Sequence, residues 1–185
     1  VVMRYLDALQ RNDLDTANAC LSGGAQNNYA MAKPCGTELD AIYARLMGKL
    51  SYRIDTPEML ITSGTAFRAA EPADDGTEKS VLVTITSTNV PVLFDSAITE
   101  LSGEYAESIA HAAPIPKDQL ESELYLRLAR SLDDASAPSL TGTLRIRVVR
   151  AGGAWRIDAD SELYNAVTGN FYQIVSQVPD WENTD

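Results

Sequence analysis

Histidine is nearly missing from this 185-residue sequence: His111 is the only one. Cysteine is almost as scarce, with Cys20 and Cys35 alone. A zinc site of the cysteine and histidine type needs several such ligands at short spacings, and no Cys-x-x-Cys pair occurs. Also absent are a Gly-x-Ser-x-Gly elbow, a glycine-rich phosphate loop, a His-Glu-x-x-His helix and a cysteine-histidine pairing. These gaps disfavour serine hydrolase, nucleotide-binding, zinc protease and thiol protease chemistry. Neither a metal nor a cofactor is expected.

Positive charge is the next deficit. Fifteen basic side chains stand against 26 acidic ones, a net charge of −11. That balance repels a phosphate backbone, so nucleic acid is excluded as a partner. No apolar run approaches the roughly 18 residues of a membrane span, and no charged-then-apolar leader is present. The chain opens on Val1-Val2-Met3-Arg4-Tyr5-Leu6, which reads as helix at once. The expectation is therefore that a signal peptide or lipid anchor has been removed upstream. The two cysteines leave two readings open: a disulfide closing a short loop in an oxidising compartment, or two small buried thiols in a reduced protein.

What is present is an ordinary globular composition, 45% hydrophobic and 22% charged, in a length that suits one domain over residues 1–185. Apolar residues at Val2, Leu6 and Leu9, then Leu14, Ala17 and Leu21, predict two short helices broken at Arg11-Asn12-Asp13, with Asn12 or Asp13 capping the second. Ser22 to Pro34 reads as loop. Thr37 is placed to cap a third helix with Leu39, Ile42, Tyr43, Leu46, Met47 and Leu50 on its apolar face. Extended segments follow around Tyr52-Ile54, Leu60-Thr62 and Phe67-Ala69, with a turn at Ala73-Asp74-Asp75-Gly76. Ser80 to Thr88 alternates as a strand.

Pro91 then opens a helix through Ile109, and Leu120, Leu124, Leu128 and Leu132 form the stripe of another. Together they make a helical insertion over about 91–134, split at Ala113-Pro114-Ile115-Pro116. Leu140 to Val148 is a second alternating strand, turned by Gly152-Gly153 into Trp155-Arg156-Ile157-Asp158. Asp160 or Ser161 caps a terminal helix carrying Leu163, Tyr164 and Val167, with Phe171, Ile174 and Val175 continuing past Gly169-Asn170. The fold class is α+β: N-terminal helices on a curved, mainly antiparallel sheet.

The order of helices, bent sheet and late hairpin, together with the opening Val2-Met3-Arg4-Tyr5-Leu6-Asp7-Ala8-Leu9-Gln10-Arg11-Asn12-Asp13 and the close Leu144 to Asp158, resembles the nuclear transport factor 2-like, cystatin-like cone superfamily. Bacterial cell-envelope and lipoprotein members are the most similar in kind. The resemblance implies a cone-like fold and an extracytoplasmic bacterial setting, secreted or anchored to the envelope. It also implies a ligand or partner met on the concave sheet face or at the insertion helices. Because the superfamily holds isomerases, dehydratases, binding modules and subunits without chemistry, fold likeness leaves the function open.

Catalytic members place Asp, His or Tyr beside an apolar cavity on the concave face, where burial tunes the pKa. Here His111 sits among alanines at a helix end, where the helix dipole alone explains it. Tyr5, Tyr43, Tyr52 and Trp155 are the candidate ligand-facing side chains. Tyr105 and Tyr164 are further phenols of the same kind, and for each of the tyrosines core packing with one wet end is the favoured account. Asp158, Asp160 and Glu162 could meet calcium, but the spacing is not that of an EF-hand, and helix capping explains them. Arg145, Arg147, Arg150 and Arg156 either meet an anion or pair with carboxylates across the sheet, the second being favoured. No catalytic residue is assigned. The expected function is a non-enzymatic domain that binds a small molecule or protein, or pairs with a second copy. A small lyase or isomerase acting on an apolar substrate is the alternative.

Overall fold

The computed structural model describes residues 1–23, 37–55 and 77–177. Within them the chain alternates helix and strand. α1 (Val2–Gln10), α2 (Leu14–Ala19) and α3 (Thr37–Gly48) precede β1 (Ser51–Ile54) and β2 (Glu78–Thr88). A helical hairpin follows, α4 (Val90–Ala110) and α5 (Lys117–Asp133), then β3 (Ser139–Ala151), β4 (Ala154–Ile157), α6 (Ser161–Thr168) and α7 (Phe171–Gln177). The extended segments expected between Leu60 and Ala69, the turn at 73–76, most of the loop before Pro34 and Cys35 all lie outside the described residues.

One sheet in the order β1-β2-β3-β4, antiparallel throughout, curls into a half-barrel with helices packed on it, the α+β, cone-like arrangement. Its register follows from alternation. Val83 faces Leu144 and Val81 faces Ile146 on the inner side, while Thr84 faces Thr143 and Thr86 faces Thr141 on the outer. The outer threonine pairs bond hydroxyl to hydroxyl at 2.8 Å. A slip of one residue would turn Val83, Ile85, Leu144 and Ile146 to solvent, so the apolar pattern fixes the pairing.

The N-terminal helices share one hydrophobic core with this inner face. Asn12 takes a positive φ of 54° where α1 stops, and the Asp13 carboxylate accepts from the Thr16 amide at 3.1 Å to start α2. Leu6 and Leu9 of α1 and Ile42, Leu46 and Met47 of α3 are almost wholly buried. Each such side chain contributes about 1.5–3 kcal/mol of transfer free energy. α3 also packs on α5, where Leu128 and Leu132 are fully buried.

In the α4–α5 hairpin burial is confined to its root. Pro91 occupies the first turn of α4, where its missing N–H removes no helical hydrogen bond. Val90, Leu93, Ala97 and Leu101 are buried, but from Ser102 onward nearly every residue is exposed. Around that point Arg127 of α5 clasps Glu104 at 2.7 Å, Glu123 at 3.1 Å and Glu100 at 3.3 Å. The hairpin is thus held at its root by apolar packing and, next to it, by the ion pairs of Arg127. None of the described helices is long and apolar enough to cross a membrane.

Candidate functional site

A glycine at an inward strand position borders an open cleft. Along β3 the inward positions run Leu140, Gly142, Leu144, Ile146 and Val148, and the second of these has no side chain. Gly142 lies opposite Ile85 of β2, and a Cβ added to it would meet no atom within 4 Å. The cleft it borders has a volume of about 440 Å³. Its apolar lining is Ile85, Leu140, Leu144 and Ala166, and its volume falls within the few hundred Å³ usual for small-molecule sites.

The opposite wall is α6, whose two ends are both fixed. At its start the Asp160 carboxylate accepts from the Leu163 amide at 2.9 Å. At its end Gly169 adopts φ +60°, and the space a Cβ would occupy holds the Thr88 carbonyl, only 1.6 Å from that Cβ position. The carbonyl of Gly169 in turn accepts from the Val90 amide at 3.1 Å, tying α6 to the root of the hairpin. So anchored, α6 buries Leu163, Tyr164, Val167 and Thr168 in the core. Ser161, Glu162, Asn165 and Ala166, at helical spacing on the neighbouring face, line the cleft.

The polar atoms of this lining are unevenly matched. Thr141 and Thr143 turn their hydroxyls to the outer face, where Thr86 and Thr84 hold them. Among the described residues of the lining Glu162 is the one ionisable side chain, and it is exposed. Asn165 borders the cleft, but its Oδ1 is buried out of reach of solvent and has no hydrogen-bond partner among the described residues. An acceptor in that position carries the full cost of its lost hydration, about 1–3 kcal/mol, unless something donates to it.

None of the four aromatic candidates borders this cleft. Tyr5 is only 1% exposed, and burial, with Tyr164 and Cys20 nearby, pushes its phenol well above the usual range. Tyr43 is a core residue packed edge to face on Phe171, ring centroids 5.2 Å apart. Tyr52 is half-buried and donates to the Asp7 carboxylate at 2.6 Å; burial first, then that carboxylate, push its pKa up to about 12. Trp155 is half-buried at the far end of the sheet, beneath Lys79, whose Nζ is 5.5 Å from the ring centroid. Tyr164 is buried beside Tyr172, its pKa pushed up to about 12 by burial and then by Tyr172 and Asp160.

The charged candidates serve the fold. His111 ends α4, exposed, with its Nδ1 2.8 Å from the Glu107 carbonyl. Arg147 pairs with Glu78 at 2.6 Å and with Asp158 at 3.0 Å across the outer face. Asp160 caps α6 as described. Cys20 is free and buried, and Cys35, the partner weighed for it, lies outside the described residues. Among the described residues no group of three His, Cys, Asp or Glu side chains is placed to hold a metal ion. Gly142 and Asn165 were not singled out from sequence. The available signal was a glycine at an inward position of an otherwise strictly alternating strand, which marks either a bulge or a close approach.

No protein-family model, curated protein or solved structure matches this chain.

Proposed function

We propose that this chain is a non-catalytic binding domain that takes a small amphipathic molecule into the cleft between β2–β3 and α6. The observation that carries the reading is the inward-facing Gly142, which leaves an apolar-floored space of about 440 Å³ in a sheet face otherwise filled by side chains. A lyase or isomerase would need an acid or base sheltered inside that space. The buried phenols of Tyr5 and Tyr164 do not line it, and Glu162 is exposed to solvent. Kinship with the nuclear transport factor 2-like superfamily belongs to the same proposal, supported by the curled antiparallel sheet under N-terminal helices. An extracytoplasmic bacterial setting rests on that kinship alone.

The test is a titration of the isotope-labelled chain with cyclohexanol, a neutral amphiphile of suitable size, followed by amide NMR. Saturable shifts are expected at Thr141–Leu144 and Asn165–Ala166, and Gly142→Leu, which fills the space, should abolish them. Shifts that fall elsewhere, or that persist in Gly142→Leu, would overturn the reading.

A further inference from the structure

We propose that the ligand of the cleft is a short extended peptide, bound as an added strand along the open edge of β3; this rests on the binding reading above and names its ligand class. β4 pairs only with the far end of β3, from Val148 opposite Ile157 to Ala151 opposite Ala154. One more bond, from the Asp158 amide to the Arg147 carbonyl at 3.0 Å, ends the contact, and the chain turns away into α6. From Ser139 to Ile146, β3 therefore has β2 on one side and, among the described residues, no strand on the other. The cleft follows this edge. Its lining takes in Leu140, Thr141, Gly142, Thr143 and Leu144 in unbroken succession, inward and outward positions alike, as a groove along the main chain of a strand must.

In an antiparallel ladder the backbone groups of successive residues point to opposite neighbours. The Arg147 carbonyl meets Asp158, and the Arg150 amide meets the Thr77 carbonyl on the β2 side at 2.9 Å, which sets the phase. Thr141, Thr143 and Arg145 thus aim their N–H and C=O groups at the open edge. All three residues are exposed, and these backbone groups have no partner among the described residues. An incoming strand supplies acceptors and donors at that spacing. Side chains complete the fit. In an antiparallel addition, the peptide residue opposite Gly142 belongs to a pair without mutual hydrogen bonds, the closer kind, and its side chain stands over the space that Gly142 leaves and the floor of Ile85, Leu144 and Ala166. An apolar, β-branched residue suits that place, with polar neighbours beside Thr141 and Thr143 on the outer face. α6 walls the far side of the cleft, where a second copy of the chain would have to put the rest of its sheet, so the space favours a lone strand.

The experiment titrates the labelled chain with acetyl-Val-Thr-Val-Thr-Val-amide and reads amide shifts and hydrogen exchange by NMR. In the free protein Gly142 and Leu144, bonded to β2, should exchange slowly, and Thr141, Thr143 and Arg145 fast. The peptide should slow exchange at Thr141 and Thr143. N-methylation of both its threonines, which removes the donors facing β3, should weaken binding roughly tenfold or more, the loss of two hydrogen bonds. N-methylation of its central valine, whose N–H points away from β3, should leave the affinity unchanged. If cyclohexanol moves the cleft amides but the peptide does not bind, or binds as tightly with its threonines methylated, the ligand class is wrong although the cleft binds. If Thr141 and Thr143 become protected with rising protein concentration alone, the edge takes a second copy and the proposal falls. If no probe moves the cleft amides, the binding reading fails and this inference with it.

Discussion

Replacing glycine by alanine at three positions should give three different outcomes, each set by the local geometry. At Gly169 the backbone has φ +60°, and a new Cβ would stand 1.6 Å from the Thr88 carbonyl oxygen and 2.8 Å from its carbon. The left-handed conformation costs an L-residue about 1–2 kcal/mol. The collision is with main chain that cannot swing aside, and forcing such groups apart adds about 1–3 kcal/mol. A loss of roughly 2–5 kcal/mol follows, which for a chain of this size lowers Tm by on the order of 10 °C. At Gly152, with φ +59° but no atom within 4 Å, only the conformational cost of about 1–2 kcal/mol applies. At Gly142, where the strand conformation suits any residue and the space is open, alanine should instead stabilise by about 0.4–1 kcal/mol, through the lost freedom of the unfolded chain. Thermal and urea unfolding of the three variants against the parent would decide. If Gly169→Ala is no worse than Gly152→Ala, α6 does not seat on Thr88 as described, and if Gly142→Ala destabilises, the inner position is not open.

Two further outcomes follow from charged groups. The Asp55 side chain is 2% exposed and accepts from Arg53 at 2.7 Å and from the Thr84 hydroxyl. Burial pushes its carboxyl up, but those bonds outweigh it and hold the pKa below the ordinary 3.8. A lowered folded-state pKa stabilises above pH 3.8 and loses that contribution as pH falls through the folded value. Asp55→Asn should therefore cost about 1–3 kcal/mol near pH 7, with the gap to the parent closing below pH 3.8 in urea titrations; a gap constant with pH would refute the assignment. Arg127→Gln leaves Glu100, Glu104 and Glu123 facing one another, so Tm should drop at low salt and recover most of the difference at about 1 M NaCl, where screening reaches about 3 Å. A salt-independent loss would assign the role to the packed stem of the arginine.

Elements with strong local determinants were legible from the chain alone. The alternation of β2 and β3 and the Gly152-Gly153 turn act within a few residues and stand where expected; Pro91 lies in the first turn of a helix that begins at Val90, and of Asn12 and Asp13, both candidates to cap α2, geometry selects Asp13. The cap of α6 was left between Asp160 and Ser161, and geometry selects Asp160, whose carboxylate reaches the Leu163 amide. The break after α6 is sharper than a continuing helix, because Gly169 and Asn170 take φ of 60° and 67° in succession. The site was less legible. Aromatic residues at amphipathic spacing mark a helix face that is buried, and that spacing is the same whether they meet a ligand or another helix. For Tyr5 and Tyr43 the neighbours are core residues, supplied by segments distant in sequence such as Phe171.

The cleft escapes a search for reactive side chains because it is built from what two residues forgo. Gly142 occupies an inward strand position where alanine fits without a clash, forfeiting about 0.4–1 kcal/mol. Asn165 buries an acceptor that nothing among the described residues satisfies, forfeiting about 1–3 kcal/mol more. Either departure alone is the kind of local flaw that a protein with a stability of some 5–15 kcal/mol tolerates anywhere. Their meeting at one cleft, on elements otherwise well capped and packed, is harder to ascribe to tolerance, since sequences break their own local rules mainly where function needs them broken. A ligand that fills the space beside Gly142 covers the apolar floor of Ile85, Leu140, Leu144 and Ala166. Its binding should therefore raise Tm in the parent and leave Tm unmoved in Gly142→Leu.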